Sequence, residues 1–170
     1  MNTYSTRRFA LLITGVLGCL FSFFVWRNEI DRNTFLTQPV LDALWCAVLP
    51  LGLALFFIIK KWGKGEAVNG IMNNIKLFAG SVLLMAFFSY MLLTTVIWLL
   101  PGTLSKYTAY SEFSGGGRHD CSGVEVNDPD LQRRIKVCEP VGNYFAGGTV
   151  RVTKRSNAAG MSIVNAKIKE

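Results

Sequence analysis

The sequence predicts a membrane protein with three transmembrane α-helices and a small C-terminal antiparallel β-rich domain lying outside the cytoplasm. Three observations predict it. The apolar residues fall in three blocks free of charge, Phe9 to Trp26, Ala43 to Ile59 and Leu77 to Leu100. Trp26, Trp45, Trp62 and Trp98 all lie at or just beyond a block end, where the indole ring is sheltered and its N–H stays wet. After Pro101-Gly102 the helix-length apolar runs stop, and short alternating segments punctuated by glycine take over, the pattern of strands and turns.

Residues 1–8, with Arg7 and Arg8, read as a cytoplasmic N-terminus, and the three-helix region covers 9–102. At about 1.5 Å rise per residue the blocks reach roughly 26 to 36 Å, against a hydrocarbon core of about 30 Å. The spans are expected at 9–26, 40–59 and 77–100. The middle one gains Val40, Leu41 and Asp42 as a first turn, following Pro39, because proline is tolerated early in a helix and an acid is favourable at the positive end of its dipole. A soluble three-helix bundle would need polar faces to meet water, and uncharged runs have none.

Lys and Arg in short flanking segments resist translocation. The N-terminal segment and the loop 60–76, with Lys60, Lys61, Lys64 and Lys76, hold six cations on one side. The loop from Arg27 to Asp42 balances two cations with three acids, and the residues just after Leu100 carry only Lys106. Three crossings therefore put both basic segments in the cytoplasm and residues 103–170 outside. The net charge of +7 is in part a topology signal and not evidence for nucleic acid. The compact layout, without any Asn-x-Ser/Thr acceptor, fits a bacterial inner membrane with a periplasmic C-terminal domain. Val16-Leu17-Gly18-Cys19 resembles the lipobox of bacterial lipoproteins, which would imply lipidation at Cys19. Leu17 departs from that pattern and the apolar run continues to Trp26, so the first block reads as an uncut anchor.

The three apolar blocks hold no Asp, Glu, Lys, Arg or His, whereas ion pathways and proton relays place ionisable groups in the bilayer. Small residues remain for helix packing: Gly15 and Gly18, Ala47 and Gly52, Ala79, Gly80, Ser81, Ala86 and Ser89. Pro50 predicts a bend in the second helix, either static or a hinge. Cys19 and Cys46 read as small apolar packing residues.

In 103–170 the expected strands are Lys106 to Phe113, Ser122 to Val126, Arg134 to Cys138, Thr149 to Arg155 and Ser162 to Lys169, with a helical turn at Pro129 to Arg133. Cys121 and Cys138 bracket a turn in a domain assigned to an oxidising compartment, and a disulfide is expected between them. On the chain-entropy model it contributes about 3 kcal/mol, comparable to the whole stability of so small a unit.

Sharper chemistries lack support. His119-Asp120-Cys121 offers nucleophile and base types, but strand neighbours point to alternate faces. The thiols are far from a Cys-x-x-Cys spacing, one His with two Cys lacks a fourth metal ligand, and no Gly-Lys-Ser/Thr follows Ser114-Gly115-Gly116-Gly117. No enzyme, metal or cofactor is therefore expected. The mildly specific feature is basic: Arg151 and Arg155 oppose Val150 and Val152, and Lys167 and Lys169 alternate with Val164, Ala166 and Ile168. A hairpin turning at Ser156 to Gly160 would line its outer face with these four cations. They would serve as a solvated edge, or as a contact for anionic headgroups or an acidic protein. The expected function is non-enzymatic recognition or inhibition by a displayed domain, with the bilayer and a protein as partners. The alternative is an accessory subunit of a larger complex whose contacts lie in the spans. In layout the chain resembles polytopic immunity proteins that block pore-forming toxins and exclusion proteins that block DNA entry.

Overall fold

A computed structural model of the chain describes residues 3–63, 70–117, 120–145 and 147–169, with side chains from residue 9. Three helices, α1 (Thr3–Glu29), α2 (Gln38–Trp62) and α3 (Ile71–Leu99), are each long and apolar enough to cross a membrane. A 3-10 turn (Asp31–Asn33) and a short strand β1 (Thr34–Leu36) join α1 to α2. The C-terminal part supplies β2 (Thr103–Ser114), β3 (Gly123–Asp128), β4 (Arg133–Cys138), β5 (Gly148–Ser156) and β6 (Gly160–Lys169).

The helices start and stop for local reasons. Pro39 sits in the first turn of α2, and Lys60 and Lys61 sit in its last turn against the negative end of the dipole. Leu100 leaves α3 with extended backbone, as a residue before proline prefers. Gly52 lets α2 and α3 approach closely: a Cβ there would lie 2.7 Å from Val82 Cγ2 and 2.8 Å from Val82 Cα. Leu44, Val48, Ser81, Thr94 and Ile97 are buried in the helical part. The Ser81 and Thr94 hydroxyls donate to the carbonyls of Leu77 and Tyr90, at 2.8 and 2.9 Å, so neither is buried without a partner. By contrast Gly15, Gly18 and Gly80 face open space, and none of the apolar run of α1 is buried within the chain. The α1 helix touches α3 through the Phe23 and Phe87 rings, 5.6 Å apart, and through the Trp26 indole N–H, which donates to Thr95 Oγ1 at 2.9 Å.

The sheet is six-stranded and antiparallel, in the order β1-β6-β5-β2-β3-β4, and it curls. Val124, Val126, Ile135, Val137, Val150, Val152, Met161, Ala166 and Ile168 form its core. Its edges are drawn together by Arg133, which donates to the Leu36 carbonyl at 3.0 Å. The chain past β4 also closes the gap: Val141 makes a parallel bridge to Lys167, with N–H···O distances of 2.9 Å to Ala166 and from Ile168.

The structure departs from the sequence expectations at three places. The link from α1 to α2 contributes β1, paired through Thr34–Ser162, Phe35–Met161 and Leu36–Gly160; three residues carry no legible strand period. Pro129 to Gln132 form a turn and not a helix, because the Asp128 carboxylate takes the Asp130 and Leu131 N–H groups at 2.9 and 3.1 Å. Val164 does not share the inner face with Ala166 and Ile168. It is skipped where Thr153 pairs with Asn165 and Lys154 with Ile163, and this bulge turns it outward. Lys154, on the inner face with Val150 and Val152, is 1 % exposed. His119 lies outside the described residues.

The sheet is clamped to the helix ends by the β5–β6 turn. Thr37 N–H and hydroxyl both donate to the Ala159 carbonyl, at 3.1 and 3.2 Å. Asn157 Nδ2 donates to the Ile97 carbonyl at 3.3 Å and Arg155 Nη2 to the Trp98 carbonyl at 2.5 Å. The unpaired last carbonyls of α3 are thus met by side chains of the sheet.

Candidate functional site

Strand β5 runs toward the helices, and the four cations singled out in the sequence divide along the β5–β6 hairpin. Arg155 lies at the helix junction, spent on the last turn of α3. Arg151, four residues earlier, is about 13 Å further out at roughly 3.3 Å per residue. There it stands directly across from Lys167 on β6, with Lys169 two residues beyond on the same face. These three cations, with Gly142 and Ile168, line an open cavity of about 300 Å³. Gly142 has φ +111° and packs against Ile168, so the backbone after β4 forms one wall. Among the described residues no carboxylate reaches Arg151, Lys167 or Lys169. Like charges directly across an antiparallel pair repel, and an anionic ligand would relieve that cost.

Next to this cluster, at the end of the sheet far from the helices, Phe113, Tyr144 and Phe145 stack. The Tyr144 and Phe145 centroids are 4.6 Å apart, and Phe113 and Phe145 are 5.3 Å apart. Phe145 remains 66 % exposed and Phe113 44 %. Sequence reasoning missed this group. The available signal was a Tyr-Phe pair in a glycine-flanked loop of a polar domain, where a lone turn has no need of two aromatic rings.

Behind the outer face lies a buried ion cluster. The Lys154 ammonium sits 2.7 Å from both Asp128 oxygens and 2.7 Å from Asp130 Oδ2, and 4.8 Å from the Tyr107 ring centroid. Burial pushes the Asp128 carboxyl up, but the Lys154 ammonium and the Leu131 N–H outweigh it and hold it below the usual carboxylate range. Burial likewise raises the Tyr107 phenol well above its ordinary value, and the Asp128 carboxylate adds to that. Lys154 and Asp128 are buried while Asp130 stays 59 % exposed, and with its charges mutually satisfied the cluster serves as a structural strut across β2, β3 and β5.

Cys121 and Cys138 are joined, with Cα atoms 5.6 Å apart, at the base of the β3–β4 hairpin where Gly123 pairs with Cys138. The Lys136 ammonium, 2.6 Å from Asp120 Oδ2, fastens the preceding loop and keeps the Asp120 carboxyl below its usual range. Trp26 and Trp98 lie near the sheet-side ends of α1 and α3, Trp45 near the sheet-side start of α2, and Trp62 at the opposite end of α2; Trp45 and Trp62 are exposed. No protein family, curated protein or solved structure matches the chain.

Proposed function

We propose that the protein is a non-enzymatic membrane-anchored recognition or inhibition protein. Its sheet domain meets a protein partner bearing an acidic surface through the Arg151, Lys167 and Lys169 cluster and the neighbouring aromatic end. In this reading the chain sits in a bacterial inner membrane, the N-terminus is cytoplasmic and the sheet domain periplasmic, as the basic flanks argue. The observation that carries it is the opposed, unpaired Arg151 and Lys167 held well above the helix ends, beside exposed aromatic rings. Cation clusters next to aromatic anchors suit protein recognition, and their distance from the helices favours a protein over the headgroups of the chain's own bilayer. A photo-crosslinking residue at Phe145 or Lys169 of the full chain in intact cells is expected to trap a protein, and Arg151→Glu with Lys167→Glu to abolish trapping.

A second reading rests on the bare apolar run of α1: the chain is an accessory subunit, and α1 packs against a partner helix. Crosslinks from Gly15 or Gly18 and none from Phe145 would favour it.

A further inference from the structure

We infer that the cleft between the 3-10 turn and β4 binds the headgroup of a zwitterionic phospholipid from the leaflet on the sheet side. The cleft, about 350 Å³, has Tyr90 of α3 and Leu41 of α2 in its floor and Arg133 and Lys136 of β4 in its roof, with Asp31 and Arg32 between.

Its height follows from the helix register. The α2 and α3 helices run antiparallel with Gly52 against Val82, so Thr37 comes level with Ile97, and both indeed meet the same β5–β6 turn. By the same count Asp42, the last charge before the apolar run of α2, is level with Leu92. The hydrocarbon boundary therefore lies near Leu92. The Tyr90 hydroxyl reaches up from it to donate to Asp31 Oδ1 at 2.9 Å. The cleft thus occupies the roughly 5–8 Å headgroup layer of a bilayer.

Its chemistry fits that layer. Lys136 is committed to Asp120, and Arg133 gives Nη2 to the Leu36 carbonyl. The half-buried Arg32 guanidinium feels the Asp120 carboxylate across the cleft, yet among the described residues no hydrogen bond or ion pair holds it. Such a fork of donors matches a phosphate in geometry and charge. Asp31 takes the Tyr90 hydroxyl on Oδ1, which leaves Oδ2 for an ammonium a few ångströms from that phosphate. Below the cleft the apolar side of α1 is uncovered, so acyl chains have a place to lie.

The test is native mass spectrometry of the full chain released from nanodiscs of phosphatidylethanolamine or of a neutral diglycosyl-diacylglycerol. One phosphatidylethanolamine should be retained per chain and the glycolipid lost. Arg32→Gln should lower retention about tenfold, the factor for losing one charge-assisted hydrogen bond, while Lys106→Gln, on the outer face, should not. If Arg32→Gln does not fold by circular dichroism, Arg32→Lys replaces it, and retention must again fall, by less. Equal retention of the glycolipid, unchanged retention in the folded Arg32 variant, or displacement by excess inorganic phosphate would each overturn the assignment.

Discussion

Lys154 shows how a single residue's role stays out of reach of the sequence when its partners lie far off along the chain. The alternation of β5 puts Val150, Val152 and Lys154 on one inward face, and no acid lies near Lys154 in sequence to pair with it. Its burial depends on Asp128 and Asp130, which arrive from the β3–β4 turn, and no local pattern links the two. Breaking a buried pair strands a charge and costs about 3–5 kcal/mol. Asp128→Asn together with Asp130→Asn, which takes both carboxylates from Lys154, should lower the denaturation midpoint of the sheet domain accordingly, whereas the outward Thr153→Ala should stay within about 0.5 kcal/mol. The pH dependence has a definite sign. The folded carboxyl of Asp128 is depressed below its unfolded value of about 3.9. Its contribution is therefore complete above that pH and lost as the pH falls through the folded value. An acid titration of near-ultraviolet circular dichroism should show unfolding below about pH 4, and Asp128→Asn should flatten that limb.

Elements were legible wherever a long period existed. The three long apolar helices emerged from uncharged runs, and the five longer strands from alternation between glycine-marked turns, with most ends extended by up to three residues when formed. What escaped was set by contact between elements. β1 is a strand only because β6 offers it an edge, and the bulge at Val164 only appears once β5 fixes the pairing. Among the small residues in the spans, composition could not separate those facing a neighbour from those facing outward. Gly52 faces Val82 backbone, while Gly15 and Gly80 have nothing within 4 Å. Gly52→Ala should therefore destabilise α2–α3 packing by about 1–3 kcal/mol, seen as earlier thermal unfolding in detergent, and Gly80→Ala should leave it unchanged. The disulfide was legible because Cys121 and Cys138 bracket a turn between two expected strands. Cys121→Ser with Cys138→Ser should cost about 2–4 kcal/mol, measured as a lower denaturant midpoint of the sheet domain with the helices still inserted.

At the scale of the whole molecule, the sequence divides at Pro101-Gly102 and the structure does not. Strand β1 precedes two of the helices yet forms the edge of the sheet, and its Thr37 end and the Ile97 end of α3 grip opposite sides of the β5–β6 turn. Gly160 packs against Ile97 of α3, which is itself buried. A fragment of residues 103–170 would keep most of its valine core but leave the N-terminal half of β6 as an open edge, with Met161 and Gly160 uncovered. An unpaired edge beside exposed apolar surface is a template for association, and a domain of this size has little stability to spare. The isolated fragment should therefore aggregate, or elute as oligomers on size exclusion with weak near-ultraviolet signal. Fusing residues 31–37 to it through a flexible linker should partly restore a monomer. A monomeric, cooperatively unfolding fragment without that segment would show that the helix ends merely perch on a self-sufficient sheet. In that case the sheet could tilt freely, and the fixed height of the basic cluster above the bilayer would no longer hold.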